Sequence, residues 1–219
     1  MAFHEQAPPD ILHHSMSRST ARHYLDRYLA GPYLLDPLYQ LAIQTRKPTA
    51  CRFREAIPDR FRSSEYYRQY YERTHLRDEL DFLLPAEPDA KLVLVIGRFH
   101  KRFSKRELVR IRSIEAIIFS TIAGIWTSWR GEAQEQSRDE NLHRRLTRCL
   151  ADFGASTLTR RERQITQLLL RGHSAKSVAR ELRIAPGTVM VHKRNLFAKL
   201  GITSQYELFS LFIEELSTY

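Results

Sequence analysis

The sequence is poor in the residues that mark extracellular and metal-binding proteins. Its 219 residues include two cysteines, Cys51 and Cys149, too few for a disulfide framework and without the paired spacing of a zinc site. We interpret both as buried, inert thiols in preference to redox sensors, because unpaired cysteines are usually buried. This low cysteine content predicts a protein of the cytoplasm, where thiols stay reduced.

The chain also lacks a long apolar segment. The N-terminal sequence MAFHEQAPPD has no basic region followed by an apolar run, so it does not predict a secretory signal. The longest apolar run, from Ile114 to Trp126, is interrupted by Ser120 and Thr121 and is too short to cross a bilayer. We therefore predict a soluble protein that makes no membrane contact.

Motifs that carry catalysis are missing as well. The sequence has no nucleophile elbow, no phosphate-binding glycine loop and no catalytic pair of carboxylates. Neither the pair His13 and His14 nor the group His75, Asp78 and Asp81 has metal-ligand spacing, and we interpret both sets as surface or capping residues. We predict that the protein is not an enzyme and needs no metal or other cofactor.

Positive charge is concentrated near the C-terminus. The chain has a formal charge of +10, and the forty residues from Arg160 to Lys199 hold ten Lys and Arg against two Glu, a net of +8. Clustered positive charge is typical of a surface that binds phosphate. A solvated basic helix would have the same composition, so the order of the helices has to decide between the two.

The same region has the sequence pattern of a helix-turn-helix. Thr159 can cap a first helix, Gly172 can end it, and Ser174 can cap the next. The segment 183–185 makes a short connection, and Pro186 suits the start of a third helix. A short helix, a turn and a longer helix let the last of them enter the major groove. Charge and pattern together predict double-stranded DNA as the partner.

A series of motifs in the last sixty residues resembles a known family. They are LTRRER, the turn Gly172-His173-Ser174, the pattern from Ala179 to Leu182, Thr188-Val189, His192, and Lys199-Leu200-Gly201. In this order and spacing they resemble the C-terminal LuxR/GerE/NarL-type domain of bacterial transcriptional regulators. The resemblance implies four helices, with the third (about Pro186 to Leu200) reading DNA and the fourth (about Ser204 to Leu216) often forming a dimer contact.

Two residues depart from the family pattern. Met190 stands where a lysine is common, which puts the base preference in doubt. Thr166 stands where an apolar residue is usual, which affects packing alone.

The third helix is expected to bury one face and offer the other to DNA. Val189, Leu196 and Leu200 share the buried face, and His192 lies near it and is mainly structural. The resemblance implies that the residues offered to base edges are Met190, Val191 and Arg194, with Asn195 also projecting outwards. The Arg194 guanidinium has the donor fork that matches guanine, whereas Met190 and Val191 offer apolar contact, for example to a thymine methyl.

A second set of residues is expected to contact phosphate or to position the helix ends. Its members are Ser174, Lys176, Thr188, Lys193 and Lys199. For Lys199, an ion pair with Glu162 inside the domain is an equally good interpretation.

The N-terminal half predicts an α+β fold, in which helices surround a small antiparallel sheet. Residues 79–84 and 91–98 form the expected hairpin, joined by a turn at residues 85–89. Helices are expected on both sides of Gly31-Pro32, over residues 64–73, and from the capping box Ser104/Glu107 towards Trp129. Residues 51–57 are expected to be extended.

The predicted domain organisation has four parts. Residues 1–16 form a flexible tail, 17–130 an α+β input domain, 131–153 a polar linker that includes a short helix, and 154–219 the helix-turn-helix domain. The runs FRSSEYYRQYYER, RDELDFLLP, LVLVIGR and FSKREL resemble GAF/PAS-like input domains. The half does not resemble an acyl-homoserine-lactone receptor or a phosphoacceptor receiver domain.

A cluster of tyrosines in this half allows two interpretations. Tyr66, Tyr67, Tyr70 and Tyr71 form a stripe that belongs to the core or lines a ligand pocket, and the core is the commoner use of such a stripe.

Taken together, these features predict a cytoplasmic, homodimeric transcription regulator controlled by an N-terminal input domain, with an unknown small molecule as a possible effector. The alternative is an interaction protein that sequesters another regulator and binds little DNA. Steep loss of DNA affinity with added salt would favour the first hypothesis.

Overall fold

A computed structural model describes residues 1–86, 89–132 and 140–218. Its N-terminal part is built on a four-stranded antiparallel sheet of order β1-β4-β3-β2, in which the strands are β1 (Ala2–His4), β2 (Thr49–Arg52), β3 (Asp78–Ala86) and β4 (Ala90–Arg98). The predicted hairpin is the longest pairing, from Asp78 opposite Arg98 to Ala86 opposite Ala90. Residues 87 and 88 of the expected turn lie outside the described residues. The sheet and its helices confirm the α+β prediction.

The two faces of the sheet pack against different helices, because side chains alternate along a strand. Leu83 and Val93 pack in one core cluster with the first three helices, whereas Leu80 and Phe82 pack against the next two. These helices are α1 (Arg18–Leu29), α2 (Pro37–Gln44), α3 (Phe53–Ala56), α4 (Lys105–Ser113) and α5 (Glu115–Glu132). A 3₁₀ turn at Pro32–Leu35 links α1 to α2, which confirms the expected break at Gly31-Pro32.

The N-terminal segment is not the flexible tail that its composition predicted. Ala2–His4 forms an edge strand on β4, and Phe3 is completely buried. The N-terminal ammonium of Met1 donates a hydrogen bond to the Val93 carbonyl at 2.9 Å. Pairing with a distant strand thus orders residues that have no local structural signal.

Three other predicted elements differ in detail. The extended segment expected over residues 51–57 ends at Arg52, where α3 begins. The capping box of Ser104 and Glu107 is confirmed, but its helix breaks at Ile114 and continues as α5. The helical segment that starts after Ser64 winds as a π-helix over residues 67–71. The Ser64 hydroxyl accepts a hydrogen bond from Tyr67 N at 3.1 Å.

The C-terminal part contains five helices. The short helix expected within the linker is α6 (Glu140–Asp152), and Leu146, Cys149 and Leu150 bury it in the core. Residues 133–139 of the predicted linker lie outside the described residues. The four helices expected for the helix-turn-helix domain, called the reading domain below, are confirmed as α7 (Arg160–Leu170), α8 (Ala175–Leu182), α9 (Pro186–Leu200) and α10 (Gln205–Thr218).

The two parts of the chain share one hydrophobic core. His143 on α6 lies between them: its Nε2 contacts the Glu5 carbonyl at 3.0 Å, and its Nδ1 contacts the Tyr33 hydroxyl at 2.7 Å. Since a carbonyl can only accept, Nε2 carries the proton and Tyr33 donates to Nδ1. Burial lowers the pKa of His143, which keeps this neutral form. The reading domain is therefore held firmly against the N-terminal part.

Candidate nucleic-acid interface

The third helix of the reading domain, α9, presents one face to solvent. Val189 and Leu196 are completely buried against the rest of the domain, as their spacing predicted. On the opposite side Met190 is 57% exposed and Val191 is 48% exposed. The side chains of Arg194 and Asn195 are exposed beside them. The structure thus brings the four predicted outward-facing residues to one accessible surface.

A buried glutamate, Glu162, joins the start of α7 to the end of α9. The Glu162 carboxylate accepts from the Thr159 backbone N–H at 2.8 Å in a capping box, and it pairs with the Lys199 ammonium at 2.7 Å. Burial would raise the pKa of Glu162, but the bonds from Lys199 and Thr159 hold it below its usual value. Of the two interpretations of Lys199, the structure adopts the ion pair inside the domain.

Thr166, the polar departure from the family pattern, is also accommodated locally. Its hydroxyl donates to the Glu162 carbonyl at 2.9 Å, so the residue is buried with its hydrogen bond satisfied.

Ser174 contacts the N-terminal part of the chain. The Asp59 carboxylate accepts hydrogen bonds from the Ser174 hydroxyl and from the Ser174 backbone N–H, the latter at 3.0 Å. Partial burial would raise the pKa of Asp59, but these bonds hold it below its usual value. A negative charge therefore sits at the N-terminus of α8, where backbone N–H groups favour an anion.

Gly172 makes this contact possible. Its φ of +88° is unfavourable for other residues, and a Cβ there would lie 2.9 Å from the Phe61 Cα. The Arg60 backbone N–H donates to the Gly172 carbonyl at 3.1 Å. We call Asp59, Arg60 and Phe61 the docking loop, because these residues join the N-terminal part to the turn before α8.

Lys193 lies beside the docking loop, whereas two other phosphate candidates lie in the open. The Lys193 ammonium sits over the Phe197 ring at 5.1 Å from its centroid, and burial together with the charge of Arg60 lowers its pKa. Lys176 and Thr188 are exposed. Of the predicted phosphate contacts, Lys176 and Thr188 are thus exposed and have no ion pair among the described residues, whereas Lys199 is paired with Glu162.

Sequence reasoning missed the docking loop and misjudged two acids. Asp59 of the loop is 115 positions from Ser174 along the chain, and no local pattern marks the loop. Asp78, expected at the surface, is buried and pairs with Arg52, and Asp81 is completely buried. The alternation of Glu79 and Asp81 along β3 was the available signal, since such residues share one face of a strand.

An exposed basic helix on a four-helix domain, packed behind an α+β domain, defines a two-part DNA-binding regulator. Comparison with known proteins gives the same class. Residues 156–212 match the model of the family described as bacterial regulatory proteins, luxR family. A putative HTH-type transcriptional regulator in the exeN 3' region of Aeromonas salmonicida is 33% identical over 159 residues, which are 70% of this chain and 81% of the relative.

The chain therefore belongs to the luxR family of bacterial regulatory proteins, and its C-terminal helix-turn-helix binds DNA. The monoamine regulon transcriptional regulator of Klebsiella aerogenes is 26% identical over 204 residues, 93% of this chain and 77% of the relative. These names describe regulators of transcription and not enzymes. Within the described residues, no helix has the length and hydrophobicity needed to cross a membrane.

Among solved structures, the VqsR LBD domain from Pseudomonas aeruginosa is similar with a TM-score of 0.49 and 23% identity, over 55% of this chain and 71% of that one. The likeness of the N-terminal half to GAF/PAS-type input domains stays a prediction.

Proposed function

We propose that α9 enters the major groove and reads base edges with Met190, Val191 and Arg194, while Lys176 and Thr188 contact phosphates. The observation that carries this proposal is the exposure of the first three residues on the face opposite Val189 and Leu196. Selection of bound sequences from a random duplex library, followed by titration against salt, tests it. A preferred site and a steep salt dependence are expected; binding that is independent of sequence would contradict it.

We further propose that the N-terminal part controls the reading domain through the docking loop. The Asp59 carboxylate occupies the N-terminus of α8, a position suited to a DNA phosphate, and Arg60 lies near Lys193. Duplex DNA and the docking loop would then compete for one surface. An effector that binds better when the loop is released would raise the affinity for DNA.

A homodimer is the proposed DNA-bound form, because two half-sites call for two reading helices. Leu208 and Phe212 lie on α10, the helix that the family resemblance associates with a dimer contact, and both are completely buried within the chain. A stripe of exposed apolar side chains lies instead on α4 and α5, where Val109 is 68% exposed and Ile117 is 66% exposed. If a second copy packs on this stripe about a two-fold axis, the stripe of each copy is covered by the other.

Sedimentation of the full chain tests the dimer. Ile117→Glu is expected to shift the protein towards monomer, whereas Tyr206→Glu, at a 57% exposed position on α10, is expected to leave the assembly unchanged. A wild-type chain that binds DNA one to one, without a second cooperative step, would contradict the dimer. Since the protein belongs to a family of bacterial DNA-binding regulators, we propose that it acts in the cytoplasm.

A further inference from the structure

The N-terminal part contains a large cavity along strand β4. It measures about 910 Å³, a volume in the range of small-molecule sites. Apolar and aromatic side chains make up most of the wall, among them Tyr24, Tyr28, Phe53, Tyr70, Val93 and Val95. Two acidic residues, Asp36 and Glu79, also line it.

A third carboxyl group lies next to this wall. Asp81 follows Glu79 on the same face of β3 and is paired in register with Val95, which lines the cavity. Glu79 is 5% exposed and Asp81 is 0% exposed. Burial raises the pKa of Asp36 to about 6 and that of Glu79 to about 7, and burial together with the charge of Glu79 raises that of Asp81.

These acids have hydrogen-bond donors but no positively charged partner. Tyr28 donates to Asp36, and Tyr71 donates to Glu79, each at 2.8 Å. The Asp81 carboxyl has no hydrogen-bond partner among the described residues except the Glu79 carboxyl, with which it shares a hydrogen bond when one of the two is protonated. None of the ion pairs among the described residues includes these three acids. Buried carboxylates without a cation are costly, so the cavity favours a ligand that brings one.

The basic groups of the wall do not meet this need. The side chains among them are exposed to solvent, in contrast to the buried acids, and they are His13, His14, Arg27, Arg73 and His75. The N-terminal ammonium of Met1 also lines the cavity, but it donates to the Val93 carbonyl, and burial lowers its pKa to about 6. The Arg27 guanidinium lies over the Tyr70 ring at 5.7 Å from its centroid. No group of three His, Cys, Asp or Glu among the described residues is arranged to hold a metal ion. An organic cation fits this chemistry better than a metal does.

We propose that the cavity binds a small organic amine in its protonated form, with the ammonium group at Glu79 and Asp81 and an apolar or aromatic body among the tyrosines. The ammonium group would donate to the Glu79 and Asp81 oxygens in place of the proton that the two carboxyls share, and would neutralise their charge. Tyrosine rings suit the rest of the ligand, since they offer large apolar surfaces and attract a nearby cation.

The cavity is connected to the docking loop through Tyr71. The Tyr71 hydroxyl bonds Glu79, and its ring packs edge-on against Phe61 with centroids 5.7 Å apart. Phe61 is the docking-loop residue whose backbone contacts Gly172. An amine paired with Glu79 would compete for the carboxylate that Tyr71 now holds. The regulatory part of this proposal rests on the proposed control of the reading domain, whereas the binding part does not.

Calorimetric titration of the full-length protein tests the binding part without DNA. The probe is 2-phenylethylamine; the controls of similar shape are neutral 2-phenylethanol and anionic 3-phenylpropionate. We expect the amine to bind at least tenfold more tightly than either control and to raise the melting temperature, because a ligand of the folded state stabilises it. Glu79→Gln and Asp81→Asn should each weaken amine binding at least tenfold, whereas Glu72→Gln, an exposed acid outside the wall, should not.

Three results would overturn the proposal: no binding of the amine, equal binding of the alcohol, or unchanged amine affinity in a folded Glu79→Gln or Asp81→Asn protein. DNA affinity is then measured with and without the amine. Amine binding that leaves DNA affinity unchanged would retain the ligand site and contradict the proposed control, so the two failures are distinguishable.

Discussion

Asp59 in the N-terminal part and Ser174 at the start of α8 are joined by two hydrogen bonds across 115 positions of the sequence. The contact places a carboxylate where the helix N-terminus favours an anion. It links the N-terminal half of the chain to the DNA-reading half beside the hydrogen bond from the Arg60 backbone N–H to the Gly172 carbonyl.

Removing this carboxylate is expected to raise DNA affinity. Asp59→Ala abolishes both bonds to Ser174 and leaves the N-terminus of α8 open to a phosphate, so we expect about fivefold tighter binding or more, in the range of ordinary allosteric coupling. Glu55→Ala removes the same charge from an exposed position on α3 and is the matched control. Equal affinities of the two variants in fluorescence anisotropy would contradict control by the docking loop.

Arg194 and Lys176 are expected to contribute differently to binding. Arg194→Ala should cost about 1–3 kcal/mol on the preferred site and relax the preference at one base pair. Lys176→Ala should weaken binding to all sequences alike and reduce the salt dependence by about one unit of slope. Competition against single-base variants of the site separates these patterns. A uniform loss for Arg194→Ala would make that residue a phosphate contact.

Met190→Lys is expected to restore a donor on the reading face. The substitution should strengthen binding to unrelated DNA and change the preferred base at one position, since a lysine can donate to guanine where methionine offers apolar contact. Tyr206→Lys adds the same charge at an exposed position on α10 and controls for charge alone. Identical base preferences in both variants would place Met190 away from the bases.

Adding a single methyl group at Gly31 is expected to destabilise the fold. Its φ is +136°, and a Cβ there would lie 2.5 Å from Leu216 Cδ2 on α10. Gly31→Ala should therefore lower the free energy of unfolding by about 1–3 kcal/mol. Gly124→Ala, where an added Cβ meets nothing within 4 Å, should instead raise it by about 0.5–1 kcal/mol in helix α5. Urea denaturation measures both, and equal effects would contradict close packing at Gly31.

The buried acids predict a pH dependence of stability. The pKa of Glu79 is raised to about 7, so the folded chain retains a proton that the unfolded chain releases at lower pH. Stability should then fall as pH rises from about 4.5 through about 7, by about 1–3 kcal/mol from this group. Urea denaturation of Glu79→Gln at pH 5 and pH 8 should show a smaller difference than the wild type. The same pH dependence in both proteins would place the raised pKa elsewhere.

The sequence by itself determined the reading domain and the hairpin. Thr159, Ser174 and Gly172 act within a few residues of their own positions, so capping and turn chemistry can be recognised without a fold. The spacing of Val189 and Leu196 likewise indicated the buried face of α9, because helical periodicity depends on local geometry alone. Family resemblance added the assignment of Arg194 and Met190 to base edges.

The tertiary structure alone decided which groups meet across long separations. Ala2–His4 becomes a strand by pairing with β4, and Leu216 at the end of α10 packs closely against Gly31. Lys199 pairs with Glu162, and Asp59 reaches Ser174. These contacts depend on how separate elements pack, and the energy of packing is a sum over residues that are distant in sequence. Local patterns therefore carry little information about them.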